Sequence, residues 1–364
     1  MNFTITRQNL HNGLAAVSAS IPSKTTLPVL SNILFEAKED AVWMSGTDLD
    51  VAVRVKVPAD VKELGRLTAP GKKLQEITRE LPEQPVEVAT HGEQIELKCG
   101  RSNFKLNGLP ADEFPSLPEV DFSEGGTVTG KDVNGLIHHT TFAVSTEESR
   151  PILNGVLWEL REGSMRMVAT NGHRLARMGV PAESGGAPSA DFIVPPGALQ
   201  HVQRLFKDDD TIEVARSGNH LGFRADSTEV YTRLIEGTYP NYDQVIPRDN
   251  DKVATIDKKA LESAVRRMAV VASDQTHRIR LKFEPGRVHL NVLTPDLGEG
   301  HDELELDYDG EELEIGFNAK SLLDVTAQIE AEDAEFMLND PASPALILDP
   351  ADPAARYVLM PLRV

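Results

Sequence analysis

Few residues in this chain could do covalent or metal chemistry, and none is spaced to do it. Gly71-Lys72-Lys73 lacks the preceding glycine loop whose backbone amides cradle a phosphate, so it is no nucleotide-binding motif. Gly-x-Ser-x-Gly and His-Glu-x-x-His are absent. His138 and His139 are adjacent on a predicted helix, where neighbours point about 100° apart, so the two cannot chelate one ion. A satisfied surface or partner-facing pair is the expectation for them. Cys99 is the single cysteine, which rules out an internal disulfide and argues against a cysteine metal site. No carboxylate pair sits in an apolar context that would tune an acid against a base. The expectation is a protein that binds, with no catalytic residue, metal or cofactor.

Two segments are too particular for plain scaffolding. In Thr170-Asn171-Gly172-His173-Arg174-Leu175-Ala176, Asn-Gly supplies a tight turn and His, Arg and Leu leave its exit. An ordinary hairpin turn would read the same way. The second is Arg356-Tyr357-Val358-Leu359-Met360-Pro361-Leu362-Arg363-Val364, which stays apolar where chain ends usually become polar. A final core strand explains Val358 or Leu359. Pro361 cannot continue a central strand, and flexible Met360 beside Leu362 suits an adaptable groove for a peptide.

The elements that must position these segments form a triplicate. Helix-spaced apolar stripes recur as Leu10, Leu14, Val17, then Val133, Ile137, Thr140, then Leu261, Val265, Met268. Each leads into an alternating strand: Ile33, Phe35, Ala37; Val156, Trp158, Leu160; Ile279, Leu281, Phe283. A second helix follows in each unit, through Leu74, Ile77, Leu81; Leu199, Val202, Phe206; and Leu322, Val325, Ile329. Ile33, Val156 and Ile279 stand 123 and again 123 residues apart, a period that makes each repeat domain-sized. Runs 86–100 and 211–225 alternate around a Gly-containing turn and predict antiparallel hairpins. The fold class is α+β, with three tandem similar domains at 1–121, 122–248 and 249–364. Modules of this kind can join edge to edge, with all helices facing one way.

At 364 residues and 40% hydrophobic content the chain can bury several cores, and its 5% aromatic share makes them aliphatic. No apolar run is long enough to cross a bilayer, and the first residues lack a signal peptide's apolar stretch, so a soluble cytoplasmic protein is expected. The net charge of −20 opposes nucleic-acid binding only if it is evenly spread. Acidic runs lie at Asp208-Asp209-Asp210 and Asp302-Glu303-Leu304-Glu305. Lys72, Lys73, Arg204, Lys207, Lys258, Lys259, Arg266 and Arg267 lie on or beside predicted helices. Either these are solvated helix faces, or the helices build a basic surface that holds DNA.

The chain resembles the bacterial DNA sliding clamp family, the beta subunit of DNA polymerase III. The resemblance covers essentially the full length. It rests on Thr26-Leu27-Pro28-Val29-Leu30-Ser31-Asn32, Gly46-Thr47-Asp48-Leu49, Arg150-Pro151-Ile152-Leu153-Asn154-Gly155 and Thr170 to Ala176. Glu236-Gly237-Thr238-Tyr239-Pro240 and Tyr357 to Arg363 complete it. It implies a head-to-tail homodimer closed into a ring, helices lining the inner face and antiparallel sheets outside. The implied function is that of a non-catalytic processivity factor that encircles duplex DNA without reading its sequence and tethers the polymerase. The implied partners are the DNA polymerase III catalytic subunit, the clamp loader complex, and other polymerases and repair proteins carrying clamp-binding motifs.

By the same resemblance a partner-peptide pocket maps onto Leu153, Thr170, Gly172, His173, Arg174, Leu175, Pro240, Val245, Val358, Met360, Pro361, Leu362 and Arg363. DNA contacts map onto Lys24, Lys72 and Arg150. The dimer interface maps onto Phe104 and Leu106 of one chain against Val271 and Ala272 of the other. Gln244, Pro344, Pro151 and Ile152 depart from residues found in several members. A clamp paralogue that resists an antibiotic or binds an inhibitor is the alternative reading.

Overall fold

Each apolar stripe of the triplicate lies along a helix or just past its end, with Ile329 two residues beyond the C-cap of its helix, and each alternating run is a strand. The computed structural model describes residues 1–22, 24–181, 189–273 and 275–363, so Val364 lies outside the described residues. The first repeat contains β1 (Asn2–Thr6), α1 (Arg7–Ser18), β2 (Asn32–Lys38), β3 (Ala41–Thr47), β4 (Val51–Pro58) and β5 (Asp60–Glu63). It continues through β6 (Gly65–Pro70), α2 (Gly71–Glu80), β7 (Pro85–His91), β8 (Gln94–Cys99) and β9 (Ser102–Asn107). The second contains β10 (Gly126–Thr129), α3 (Gly130–Thr140), β11 (Val156–Arg161), β12 (Ser164–Thr170) and β13 (Arg174–Pro181). There follow β14 (Ala190–Val194), α4 (Pro196–Leu205), β15 (Thr211–Ser217), β16 (His220–Ala225) and β17 (Thr228–Arg233). The third holds β18 (Lys252–Asp257), α5 (Lys258–Ala269), β19 (Arg278–Glu284), β20 (Arg287–Thr294) and β21 (Gly298–Glu305). It closes with β22 (Leu313–Asn318), α6 (Ala319–Thr326), β23 (Asp333–Leu338), β24 (Ala345–Asp349) and β25 (Asp352–Leu359).

Local chemistry starts the helices where the stripes begin. Thr6, Asp257 and Asn318 cap α1, α5 and α6 by accepting from the amides of Asn9, Ala260 and Ser321. Leu10, Leu14 and Val17 of α1 are then buried, as are Leu261, Val265 and Met268 of α5. Among the described residues, no helix is long and apolar enough to cross a membrane.

Contacts group the chain into two compact units. One contains residues Met1–Asn134 and Gly197–Leu234; the other contains 135–181, Ser189–Pro196 and 235–363. The first unit holds a five-stranded sheet, order β5-β1-β7-β8-β9, and an eight-stranded sheet, order β10-β15-β16-β17-β4-β3-β2-β6. The second holds an eight-stranded sheet, order β14-β11-β12-β13-β25-β24-β23-β18, and a four-stranded sheet, order β21-β20-β19-β22. The strands of the central repeat are therefore shared out. β17 pairs antiparallel with β4 of the first repeat, and β13 pairs antiparallel with β25 of the third. Edge-to-edge joining satisfies strand edges that single repeats would leave open.

Candidate functional site

The Asn-Gly turn is locked by its own side chains. Asn171 Oδ1 accepts from the amides of His173 and Arg174, both at 3.0 Å. Thr170 Oγ1 accepts from Gly172 N at 3.1 Å and donates to the Arg174 carbonyl at 2.7 Å. Gly172 has φ +86°, the left-handed region that favours glycine; a Cβ there would meet only the mobile end of the exposed Arg150 side chain, at 3.1 Å. Thr170 N donates to the Tyr239 hydroxyl at 3.2 Å, which ties the Glu236–Pro240 segment to the turn. Burial pushes the Tyr239 phenol above its ordinary range, so it remains protonated.

The last residues run from this turn to the neighbouring sheet of the same unit. Met360 N donates to the His173 carbonyl at 2.9 Å, and Leu362 N donates to the Gly316 carbonyl at 2.8 Å. Pro361, which has no N–H to give, sits between the two anchored residues. Arg278 donates to the Arg363 carbonyl at 2.7 Å. The tail thus leaves the strand at Leu359, as Pro361 requires, and covers the β22 edge.

These anchors bring His173, Arg174, Met360 and Leu362 together on a cleft of about 450 Å³, which Asn318 and Ser321 also line. Leu175 and Val358, on the other face of β13 and β25 from Arg174 and Leu359, belong to a buried apolar cluster with Leu157, Val168, Ile193, Tyr242, Ile246 and Leu346. Ile152 and Tyr239 pack against it partly buried. Leu153 and Val245 are half-buried, in the 3-10 turn Pro151–Asn154 and after the one at Tyr242–Gln244. Pro240 lines a separate cleft of about 430 Å³ bounded by Leu157, Ile193 and Asp243. Sequence reasoning missed Tyr242, Leu346, Asn318 and Ser321. Only the apolar run of β24 hinted at Leu346, and Asn318 signalled a helix cap but no site; Tyr242 and Ser321 carry no local signal.

Arg174 is tied inward. Its guanidinium pairs with Asp324 of α6, donates to the Phe142 carbonyl at 2.6 Å and lies over the Phe142 ring at 5.2 Å. It positions the cleft wall. His173, by contrast, is exposed.

Among the described residues, the α-helices carry eleven Lys or Arg against five Asp or Glu, a net +6 in a chain of net −20. Five of the six have no acidic residue in the first turn, although the helix dipole favours one there. Lys72 and Lys73 open α2, and Lys258 and Lys259 open α5, adding positive charge at the positive dipole ends; Glu76 offsets Lys73 and the cap Asp257 offsets part of the α5 charge. Lys24 and Lys72 are exposed, in the first unit. Arg150, in the second unit, is exposed beside the Gly172 turn and 3.5 Å from Glu147. Arg204 is engaged elsewhere, donating to the carbonyls of Ala15 and Ala16 at the end of α1.

Strands β9 and β21 are sheet edges. β9 offers Phe104, 36% exposed, and half-buried Leu106; β21 carries Glu299, Asp302, Glu303 and Glu305. Val271 is half-buried, but Ala272 is only 5% exposed and has no face to offer a second chain. The exposed apolar residue here is Val270, at 79%. Past the end of α5 the chain turns, and two positions along places Ala272 inward.

The surface reading of the histidine pair also needs correcting. His138 is exposed, but His139 is buried, with Nδ1 2.7 Å from the Tyr357 hydroxyl. The 100° step along α3 that separates the rings turns one of them into the core. His289, His301 and Glu303 place ligand atoms within 4.8 Å of one another on the β20–β21 hairpin. The two rings stack at 5.6 Å and 23°, so their in-plane lone pairs run side by side and converge poorly on one ion.

Comparison with known proteins agrees with this geometry. Family models of the DNA polymerase III beta subunit match along the chain: the N-terminal domain at residues 1–118, the central domain at 127–241 and the C-terminal domain at 243–363. The beta sliding clamp of Caulobacter vibrioides is 39% identical over 372 residues, covering all of both chains. A crystal structure of the Pseudomonas aeruginosa sliding clamp bound to griselimycin superposes with a TM-score of 0.94 at 33% identity, over the whole of both chains. The Caulobacter crescentus DNA polymerase sliding clamp superposes with a TM-score of 0.92 at 39% identity, again over both full lengths. On sequence and fold alike, this chain belongs to the DNA polymerase III beta subunit family, the beta sliding clamps.

Proposed function

We propose that the chain is a DNA polymerase processivity factor that acts as a dimeric ring around duplex DNA. The observation that carries this reading is the positive charge of the helices within a strongly acidic chain, which favours holding DNA against the helices and repelling it elsewhere. Lys24, Lys72 and Arg150 contact phosphates without reading bases, so the ring slides. Holding a polymerase on such a ring makes each rebinding intramolecular and raises its effective concentration at the template. No bond is made or broken by the chain itself; it is a cytoplasmic, non-catalytic subunit.

The edge of β9 with Phe104 and Leu106 meets the β21 side of a second copy, where Val270 and Val271 lie, and closes the dimer. The repeats 1–121, 122–248 and 249–364 are its three domains. The half-buried rim of the Leu175–Val358 cluster, bordered by His173 and Met360, receives partner segments of the DNA polymerase III catalytic subunit, the clamp loader, and other polymerases and repair proteins. Leu153, Thr170, Gly172, Pro240, Val245, Pro361, Leu362 and Arg363 frame it, and Arg174 braces it. An antibiotic-resistance paralogue is not favoured, because the relatives named above are beta sliding clamps.

The test is retention on nicked circular plasmid, loaded by the host clamp loader, before and after the DNA is cut. Protein held by topology remains on circles and leaves linear ends. Equal retention on both forms would mean ordinary charge-driven binding, and the ring reading would fall.

A further inference from the structure

The apolar cluster on the β11–β12–β13–β25–β24 face ends abruptly in arginine. Residues directly opposite in an antiparallel ladder share a face. One row across the sheet is Thr170, Leu175, Val358 and Leu346. The next is Leu157, Val168, Arg177, Arg356 and Leu348. The third begins with Glu159 opposite Arg166. Arg177 and Arg356 are therefore cross-strand partners, a like-charge pairing that costs stability.

Four guanidiniums, those of Arg161, Arg166, Arg177 and Arg356, line a cleft of about 490 Å³ here. Two are neutralised. Arg161 lies 2.6 Å from Asp191, and Arg166 lies 3.5 Å from Glu159 and donates to the Tyr242 hydroxyl at 2.8 Å. Glu159, the one carboxylate in the lining, already accepts from Tyr242 at 2.6 Å and faces Arg161 and Arg166. Among the described residues, Arg177 and Arg356 have no hydrogen-bond or ion-pair partner, and the buried Arg177 Nε is unsatisfied. Burial, then the charges of Arg166 and Arg356, hold the Arg177 pKa below its ordinary value. Tyr242 and Asp243 pull the other way without pairing with it, and a half-buried cation that lacks an ion pair is costly to keep.

We propose that Arg177 and Arg356 receive a carboxylate side chain of a partner segment whose apolar residues lie on the half-buried rim of the buried Leu175–Val358 cluster, where Leu348 is the cross-strand neighbour of Arg356. Successive rows lie about 6.6 Å apart along a strand, so the acidic residue stands within about two positions of the apolar anchor. Partners are thus selected for an acidic residue flanking their apolar motif, and a basic one is rejected by the guanidinium pair. The proposal rests on the partner-pocket reading given above.

The experiment is fluorescence anisotropy of the full chain with labelled peptides of glutamine, leucine and phenylalanine, extended at either end by two Glu or by two Gln. The Glu form of one orientation should bind about tenfold more tightly than its Gln counterpart, with the gap shrinking as salt rises. Arg177→Gln and Arg356→Gln should each narrow that gap, and the double variant should abolish it. Thermal unfolding should show both variants as stable as the parent or more so, since a repulsion has been removed. Equal affinity for Glu and Gln peptides, or a gap that survives in the double variant, overturns the proposal. So does an acidic peptide lacking the apolar residues that binds as well as the full one. His173→Ala with Met360→Ala reads the underlying pocket separately, by weakening Glu and Gln peptides alike. If that variant binds both unchanged, the pocket reading fails and takes this proposal with it.

Discussion

Arg174 and His173 are adjacent, yet replacing them should fail in different ways. The Arg174 guanidinium is 11% exposed and its partner Asp324 is 34% exposed, so the ion pair is half-shielded from solvent. A charged hydrogen bond of this kind contributes about 1.5 kcal/mol once screening is allowed for. Leaving the Phe142 carbonyl without its donor at 2.6 Å costs about 1 kcal/mol more. Loss of the ring contact at 5.2 Å adds about 0.5 kcal/mol. Arg174→Ala should therefore destabilise the unit that carries it by about 3 kcal/mol, a fall in Tm of about 6–12 °C. A double-mutant cycle with Asp324→Asn should return about 1.5 kcal/mol of coupling. His173→Ala should leave Tm within about 1 °C while weakening peptide binding tenfold or more. Scanning calorimetry and anisotropy on the same samples decide the matter. If Arg174→Ala loses peptide affinity with an unchanged Tm, Arg174 is a contact residue and the bracing argument is wrong.

Burial, then the charge of His138, keeps the His139 pKa below its ordinary 6.5, against the opposing pull of Asp352, Glu330 and Asp349. As pH falls through 6.5 the unfolded chain binds this proton before the folded one does. The stability His139 contributes is thus fully present above 6.5 and lost below it. Tm should fall more steeply between about pH 7.5 and 5.5 in the parent than in His139→Gln. Val270→Glu should weaken self-association in sedimentation velocity without lowering Tm, whereas Ala272→Glu should unfold the chain locally; dimerisation unaffected by Val270→Glu would exclude this surface. Lys24→Gln and Lys72→Gln should each reduce the slope of log binding against log salt on DNA by about two, one contact from each protomer of the ring. An unchanged slope would place that lysine away from the phosphates.

What could be read before the structure was whatever repeats at short range. Leu10, Leu14 and Val17 announce a helix face because burial imposes the 3.6 period, and Ile279, Leu281 and Phe283 announce a strand for the corresponding reason. Pro361 forecast the departure of the tail from the sheet because the missing N–H is a local fact. Long-range partners left no such trace. Arg174 resembles a ligand-facing residue until Asp324, 150 positions away, is beside it. Val270, Val271 and Ala272 are equally apolar in sequence, and only the turn after α5 decides which is exposed. The opposition of Arg177 to Arg356 depends on β13 lying next to β25, a neighbour relation that crosses repeats.

That same crossing limits how such a gene can be rearranged. A fragment cut out between the repeats would keep β17 but lose β4, and keep β13 but lose β25. It would expose unpaired backbone along Thr228–Thr232 and Arg174–Arg177, two sticky borders that invite precipitation. The triplication is therefore a record of ancestry and not a set of interchangeable parts: its members can diverge in place, but recombination cannot trade them singly.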